Sequence, residues 1–190
     1  MKLKTNKTKY FGTGEQNTNI LLRLVEDYIK REGIDNILVA TNTGETGVKF
    51  AEAFRGKNVV IITHCCGFQH PGKMELRNDL KDKILESGAK IFTGTHALSS
   101  AERAIRLKFG TIGPLELIAN TLRLMGEGTK VCVEITLMAA DAGLVPIDKD
   151  IVAIAGTGRG ADTALRIKPA NSARLFDLKI KEIIAKPSSF

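Results

Sequence analysis

Three threonines and two glycines lie within residues 41–47, directly after the apolar run 36–40. Where a strand passes into a helix, such residues can bind a phosphate group, because the helix start offers free backbone N–H groups and a positive dipole end. The same residues also suit a structural role, since Thr43 is a good N-cap and Glu45 supplies a favourable charge in the first turn. The spacing matches neither the P-loop nor the GxGxxG fingerprint. Phosphate binding and helix capping therefore both stay open for this segment.

Three further polar segments, 64–68, 94–96 and 156–162, each follow a predicted strand. In a parallel sheet the loops that leave the carboxyl ends of the strands meet at one edge, and ligands bind there. We therefore predict one binding site built from all four segments. The predicted binding residues are Thr41, Asn42, Thr43, Gly44, Glu45, Thr46, Gly47, Gly67, Phe68, Thr95, His96, Gly156, Thr157, Gly158, Arg159, Gly160 and Asp162.

Several side chains in and near these segments allow either a ligand role or a structural one. The planar fork of Arg159 can pair with a phosphate or a carboxylate, or it can be solvated in its turn. Asp162 can hydrogen-bond a sugar hydroxyl or cap the turn. Phe68 and Met138 can contact a flat ring or belong to the core. Glu134 fits an ion pair better than a catalytic acid, so we assign no catalytic residue.

His64, Cys65, Cys66 and His70 raise the question of a metal site. Adjacent ligands strain tetrahedral coordination and the sequence holds no second ligand pair, so we predict no metal site. In the alternative use, Cys65 or Cys66 would be a nucleophile with His96 as its base, provided that their loops meet in space. The chain has three cysteines, too few for a disulfide framework, which favours a reducing compartment and hence the cytoplasm.

Hydrophobic periodicity predicts the elements that position these segments. The predicted strands are 9–11, 36–40, 58–63, 90–93, 151–155 and 163–168. The predicted helices are one from Thr18 to Gly33, one that ends at Gly56, and then 75–87, 97–106, 114–125 and 130–142. We expect the last strand to be a half-exposed edge strand, because its apolar and polar residues alternate. Alternating strands and helices imply a largely parallel sheet with helices on both faces.

Length and composition indicate a single globular domain over residues 1–190, with 43% hydrophobic residues and no low-complexity tract. No apolar stretch has membrane-spanning length and the polar start lacks a signal-peptide segment, so we expect no membrane partner. The formal charge of +7 does not indicate a nucleic-acid partner, because lysines cluster only weakly, as at Lys2, Lys4, Lys7 and Lys9. A basic protein equally suits a small phosphorylated ligand.

Two parts of the chain resemble the pyruvate kinase C-terminal domain. Residues 37–46 and 58–63 resemble its first βαβ unit, whose Thr/Ser-rich loop holds the phosphate of a sugar-bisphosphate effector, and residues 151–167 are similar to its final strand pair and Gly-rich effector loop. The whole chain resembles the small stand-alone prokaryotic proteins of the pyruvate kinase C-terminal-like family, most specifically at 130–143 and 159–164.

This resemblance implies a three-layer α/β/α fold with a mixed five-stranded sheet in the order 3-2-1-4-5 and an antiparallel fifth strand. It also implies flavin mononucleotide (FMN) as the ligand, with its phosphate in segment 41–47. The kinase barrel is absent, so phosphoryl transfer from phosphoenolpyruvate is not expected.

Three functions therefore stay open at the level of the sequence. The chain could be an FMN-binding protein that works as an oxidoreductase, a regulatory sensor of a sugar phosphate or nucleotide without catalysis, or a thiol-dependent enzyme that uses Cys65 or Cys66. Self-association is open as well, through an exposed edge strand or through the helix that bears Ile118 and Leu122.

Overall fold

The β-branched and apolar runs of the sequence form the strands of one mixed sheet, as shown by a computed structural model that describes residues 7–190. The strands are β1 (Lys9–Phe11), β2 (Asn36–Thr41), β3 (Asn58–Thr63), β4 (Lys90–Thr93), β5 (Ile151–Ala155), β6 (Thr163–Lys168) and β7 (Lys179–Pro187). Their order across the sheet is β1-β7-β6-β5-β2-β3-β4.

Helices cover both faces of this sheet. They are α1 (Thr18–Glu32), α2 (Glu45–Ala53), α3 (Asn78–Glu86), α4 (Ala101–Phe109), α5 (Pro114–Arg123) and α6 (Glu127–Asp141), with 3₁₀ turns at Glu15–Asn17 and Ser172–Asp177. Successive residues of a strand point to opposite faces, so Ile37 and Val39 pack with α1, α2 and α3, whereas Leu38 packs with α6. The chain is thus an α/β protein with a core on each side of its sheet.

The predicted number of strands was wrong. The five strands that we expected to form the sheet do lie in the order β4-β3-β2-β5-β6, with β6 antiparallel to β5, but residues 7–190 contribute seven strands in all. β7 pairs antiparallel with β6 and parallel with β1. β6 is therefore not the edge strand that we predicted, since it has a neighbour on each side and is mostly buried.

Several helix predictions are confirmed, although some bounds move. Segment 130–142 is helical as predicted, within α6, and α1 ends at Gly33 in a left-handed conformation. α3 begins at Asn78, later than predicted, and α4 is shifted towards the C-terminus. Thr18 begins α1 without capping it, because its hydroxyl accepts a hydrogen bond of 3.0 Å from the Ala161 amide.

The surfaces that we considered for self-association differ in part from those expected. β6 is interior, so the edge strands of the described sheet are β1 and β4, and Ile118 and Leu122 are half-buried against a small apolar cluster that includes Val133 and Leu137 of α6. The predictions for the first six residues, including Lys2 and Lys4, lie outside the part of the chain that the structure describes. In the described part, no helix combines the length and apolar character that crossing a bilayer requires.

The topology brings four loops to one place. β2 is parallel to both β3 and β5, and β3 is parallel to β4, so all four strands present their carboxyl ends at the same edge of the sheet. The predicted site segments leave these strands at that edge, which is where ligands bind in open α/β sheets.

Candidate functional site

A cleft of about 700 Å³ lies at the carboxyl edge of the parallel strands. Its walls come from the loops after β2, β3, β4 and β5 and from α6 between Glu127 and Met138. The predicted residues that line it are Thr41, Asn42, Thr43, Glu45, Thr46, Phe68, His96, Gly156, Gly158, Arg159 and Gly160. The structure thus brings together residues from all four predicted segments, while six predicted residues lie outside the lining: Gly44, Gly47, Gly67, Thr95, Thr157 and Asp162.

The buried Thr41 caps the helix that follows β2. Its hydroxyl oxygen accepts hydrogen bonds from the amides of Gly44 at 3.2 Å and Gly47 at 3.3 Å. This is the role that Thr43 was expected to be able to fill, and Thr43 is instead exposed at the cleft. Thr41 therefore caps the helix, and the Thr43 side chain lies at the cleft.

The two glycines of this segment shape the loop rather than line the cleft. Gly44 has a φ of +111°, which side chains rarely adopt, and it precedes α2. A Cβ on Gly47 would lie 2.9 Å from Ile61 Cγ2 and 3.0 Å from Ile84 Cδ1, so its absence lets α2 pack closely on β3 and α3. The expectation that both glycines contact the ligand is therefore not met, because both are buried.

The first turn of α2 can still bind an anion, although Thr41 caps the helix. The first turn of a helix has amides without intrahelical acceptors, and here they include those of Glu45 and Thr46. Both residues line the cleft together with Thr43 and Lys49. Glu45 is exposed and lies 3.6 Å from Arg77, which offsets its negative charge. The loop can therefore offer amides, hydroxyls and a lysine to an anion.

Asp162 folds the Gly-rich loop that follows β5. Its side chain is fully buried, and Oδ2 accepts hydrogen bonds from the amides of Thr157 at 3.0 Å and Gly14 at 3.3 Å. Oδ1 accepts a third from the Thr163 hydroxyl at 2.8 Å. The interpretation of Asp162 as a ligand contact is therefore corrected: it caps the turn. The neighbouring Arg159 remains exposed at the cleft, and no ion pair of the described residues includes it.

Three rings pack against one another on another wall of the cleft, with interplanar angles from 18° to 49°. The Phe68 ring lies 5.1 Å from the His96 ring at an interplanar angle of 18°, and 4.0 Å from the His64 ring. The guanidinium carbon of Arg103 lies 5.0 Å from the Phe68 ring centre. Nδ1 of His64 is 2.6 Å from Oε2 of Glu75, which holds the His64 ring in place. Such a cluster can stack against a flat ligand.

A buried charged group, which the sequence analysis did not assign to the site, lies below these rings. Lys130 Nζ lies 2.5 Å from Glu134 Oε2, with only 6% of Lys130 and 3% of Glu134 exposed. Glu134 Oε1 accepts a 3.0 Å hydrogen bond from the Leu98 amide, and His96 Nδ1 lies 3.6 Å from Oε2. The i,i+4 spacing of Lys130 and Glu134 was the signal that could have indicated this pair.

The surroundings of Glu134 favour its ionised form. Burial raises the pKa of Glu134, but the nearby His96 ring N–H and the positive charge of Lys130 outweigh it and lower the pKa to about 2. The cleft therefore contains a fixed carboxylate beside an ammonium group, and both reach its lining.

The geometry of His96 does not suit a thiol mechanism. Its Nε2 accepts the backbone N–H of Cys65 at 3.3 Å, so the lone pair that a base would use is already engaged. Neither Cys65 nor Cys66 lines the cleft, and Cys132 is buried in α6. Among the described residues, no group of three or more His, Cys, Asp or Glu side chains could hold a metal ion.

Fold and site together define an α/β protein with a cleft of about 700 Å³ at the carboxyl edge of its sheet. No protein-family model matches the chain. The function has to be inferred from the geometry of the cleft.

Proposed function

We propose that the chain binds FMN in the cleft. The observation that carries the proposal is that one cavity is lined both by hydroxyl groups at a helix start, at Thr43 and Thr46, and by an aromatic cluster at Phe68 and His96. Its volume of about 700 Å³ falls within the range of about 300–1,000 Å³ that is usual for cofactor sites. The fold class expected from the resemblance to the pyruvate kinase C-terminal-like family supports the same assignment.

The residues present fit both ends of this ligand. Thr43, Thr46 and the first amides of α2 would hold the phosphate, with Arg159 and Lys49 as nearby cations. Phe68 and His96 would contact the ring system, because both line the cleft and aromatic side chains pack well against a flat ring. When bound, the flavin would supply electron or hydride transfer. The protein's own part is to orient the cofactor and to set its electrostatic surroundings through Lys130 and Glu134.

Oxidoreductase activity is part of the proposal, and the thiol alternative is not, because His96 Nε2 is engaged by a backbone amide. A sensor that binds the same ligand without chemistry would use the same cradle. Turnover of an electron donor by the FMN-loaded protein separates the two. We further propose a cytoplasmic location, since all three cysteines are free thiols.

Titration with FMN and with riboflavin, followed by flavin fluorescence, tests the cradle. Wild type should bind FMN more tightly than riboflavin, because only FMN carries the phosphate. Thr43→Ala should reduce that preference by about tenfold, the value of one charge-assisted hydrogen bond. Thr111→Ala is the control, since Thr111 is exposed and lies outside the cleft lining. Equal affinities for both flavins in wild type would contradict the phosphate assignment.

A further inference from the structure

A second, smaller recess adjoins the cleft beneath α4 and α5. Its volume is about 220 Å³, and it shares Ser99, Arg103, Arg123 and Lys130 with the lining of the cleft. Because these four residues border both cavities, a molecule in the recess would lie directly beside a ligand in the cleft.

The recess is rich in cationic side chains. Four line it, Arg103, Arg106, Arg123 and Lys130, against two carboxylates. One of those carboxylates, Glu102, is already hydrogen-bonded to the backbone. Its two oxygens accept the N–H groups of Leu115 at 3.1 Å and Glu116 at 2.6 Å, at the start of α5. Its charge therefore compensates the end of a helix dipole rather than an arginine.

Two of these cations keep capacity for an anion. Among the described residues Arg103 has no carboxylate partner, and its contact is with the face of Phe68. Lys130 uses one of its three N–H donors on Glu134 and has two left. Arg123 is held by Glu127 at 2.6 Å, which fixes its guanidinium at the border of the two cavities.

Polar atoms in the recess also lack partners. Arg106 Nε lies 3.0 Å from Glu116 Oε1, yet the alignment makes no hydrogen bond. Arg106 Nε and Glu116 Oε2 are both buried with no hydrogen-bond partner among the described residues. Native proteins seldom leave such atoms unsatisfied, and water or a polar ligand usually satisfies them.

We propose that this recess binds the carboxylate of a small organic acid, which is the second substrate of the protein. The identification as a substrate rests on the proposed flavin function, since the recess opens beside the flavin cleft. The planar fork of Arg103 matches a carboxylate in two parallel hydrogen bonds, and Lys130, which also lines the recess, adds a further donor. The volume of about 220 Å³ suits a small acid rather than a nucleotide.

Succinate is the probe, and its binding to the full chain is measured by isothermal titration with and without FMN. Arg103→Gln should weaken succinate binding about tenfold, and Arg103→Lys should recover part of the loss, because it restores the charge without the fork. Lys108→Gln removes one positive charge from the same helix at an exposed position outside both cavities, so its effect should stay below about twofold.

Four results would overturn the inference in whole or in part. Succinate that fails to bind wild type, with or without FMN, removes the acid site. If Arg103→Gln and Lys108→Gln weaken succinate binding equally, the binding reflects general surface charge and not a specific site. Loss of the preference for FMN over riboflavin in Arg103→Gln would mean that the recess holds the flavin phosphate instead. Succinate binding to a chain that binds no flavin would leave the acid site in place and refute the substrate assignment and the proposed function.

Discussion

Replacing Glu134 with glutamine removes the charge that compensates Lys130 inside the cleft wall. Glutamine can still accept the Leu98 N–H, so the change isolates the lost carboxylate. Removal of one partner of a buried ion pair costs about 3–5 kcal/mol. We expect about 3 kcal/mol here, because Lys130 lines the cleft and can gain water once it is unpaired. For a chain of this size that corresponds to a fall in Tm of about 6–12 °C.

The same carboxylate makes the stability depend on pH. Its folded pKa of about 2 is below the ordinary value of 4.5, so its contribution is fully present above about pH 4.5. The contribution is lost as the pH falls from about 4.5 to about 2, because the folded protein must then take up a proton that the unfolded chain already holds. A shift of this size corresponds to about 3 kcal/mol, the same order as the cost of the substitution.

Urea unfolding at about pH 7 and about pH 3 measures both effects. Glu134→Gln should be destabilised at neutral pH, and its difference from wild type should shrink in acid. The double variant Lys130→Met with Glu134→Gln should recover most of the loss, since it leaves no buried charge unpaired and keeps an acceptor for the Leu98 N–H. Glu45→Gln is the control, because that side chain is 60% exposed and its loss should not be measurable. A Glu134→Gln loss below about 1 kcal/mol, or one independent of pH, would refute the reasoning.

Three other substitutions test the site. Asp162→Asn should destabilise the chain by about 1–3 kcal/mol in urea unfolding, because an amide group cannot accept all three hydrogen bonds; an unchanged midpoint would contradict its capping role. Gly47→Ala should cost about 1–3 kcal/mol by thermal unfolding, since its Cβ would lie 2.9 Å from Ile61; a gain in stability would count against close packing. Phe68→Ala should weaken FMN and riboflavin alike by about threefold to tenfold in fluorescence titration; a loss confined to FMN would refute its assignment to the ring.

Local patterns were enough to predict most helices and strands. Segment 130–142 has β-branched residues that favour a strand, yet its apolar side chains share a helical face. That face prevailed because Cys132, Ile135, Met138 and Ala139 pack together against the sheet. Tertiary burial therefore decided between two local preferences of similar strength.

The last strand shows where local patterns stopped being sufficient. Lys179 and Lys181 alternate with Ile180, which is a strand signal, but together they also resembled a solvated basic tail. The parallel partner of this strand is β1, whose Tyr10 pairs with Lys186. The two strands are separated by most of the sequence. A short stretch of sequence therefore cannot reveal how their residues pair.

The position of the cleft could be predicted because topology alone brings the strand ends together. The Lys130–Glu134 pair in the wall of the cleft could not be predicted, because a Lys–Glu pair at i,i+4 is usually on the solvent side of a helix. Here Leu98 and His96 contact Glu134, and they come from the loop that follows β4. Contacts of that kind appear only once the loops have been placed.

The most direct test of the proposed function is the visible absorption spectrum of the protein purified without added cofactor. We predict a flavin spectrum that stays with the protein through gel filtration, and release on denaturation of a flavin whose mass is that of FMN. A colourless protein that also takes up no FMN on incubation would contradict the central claim, and sugar phosphates and other nucleotides would then be the ligands to test against the same cleft.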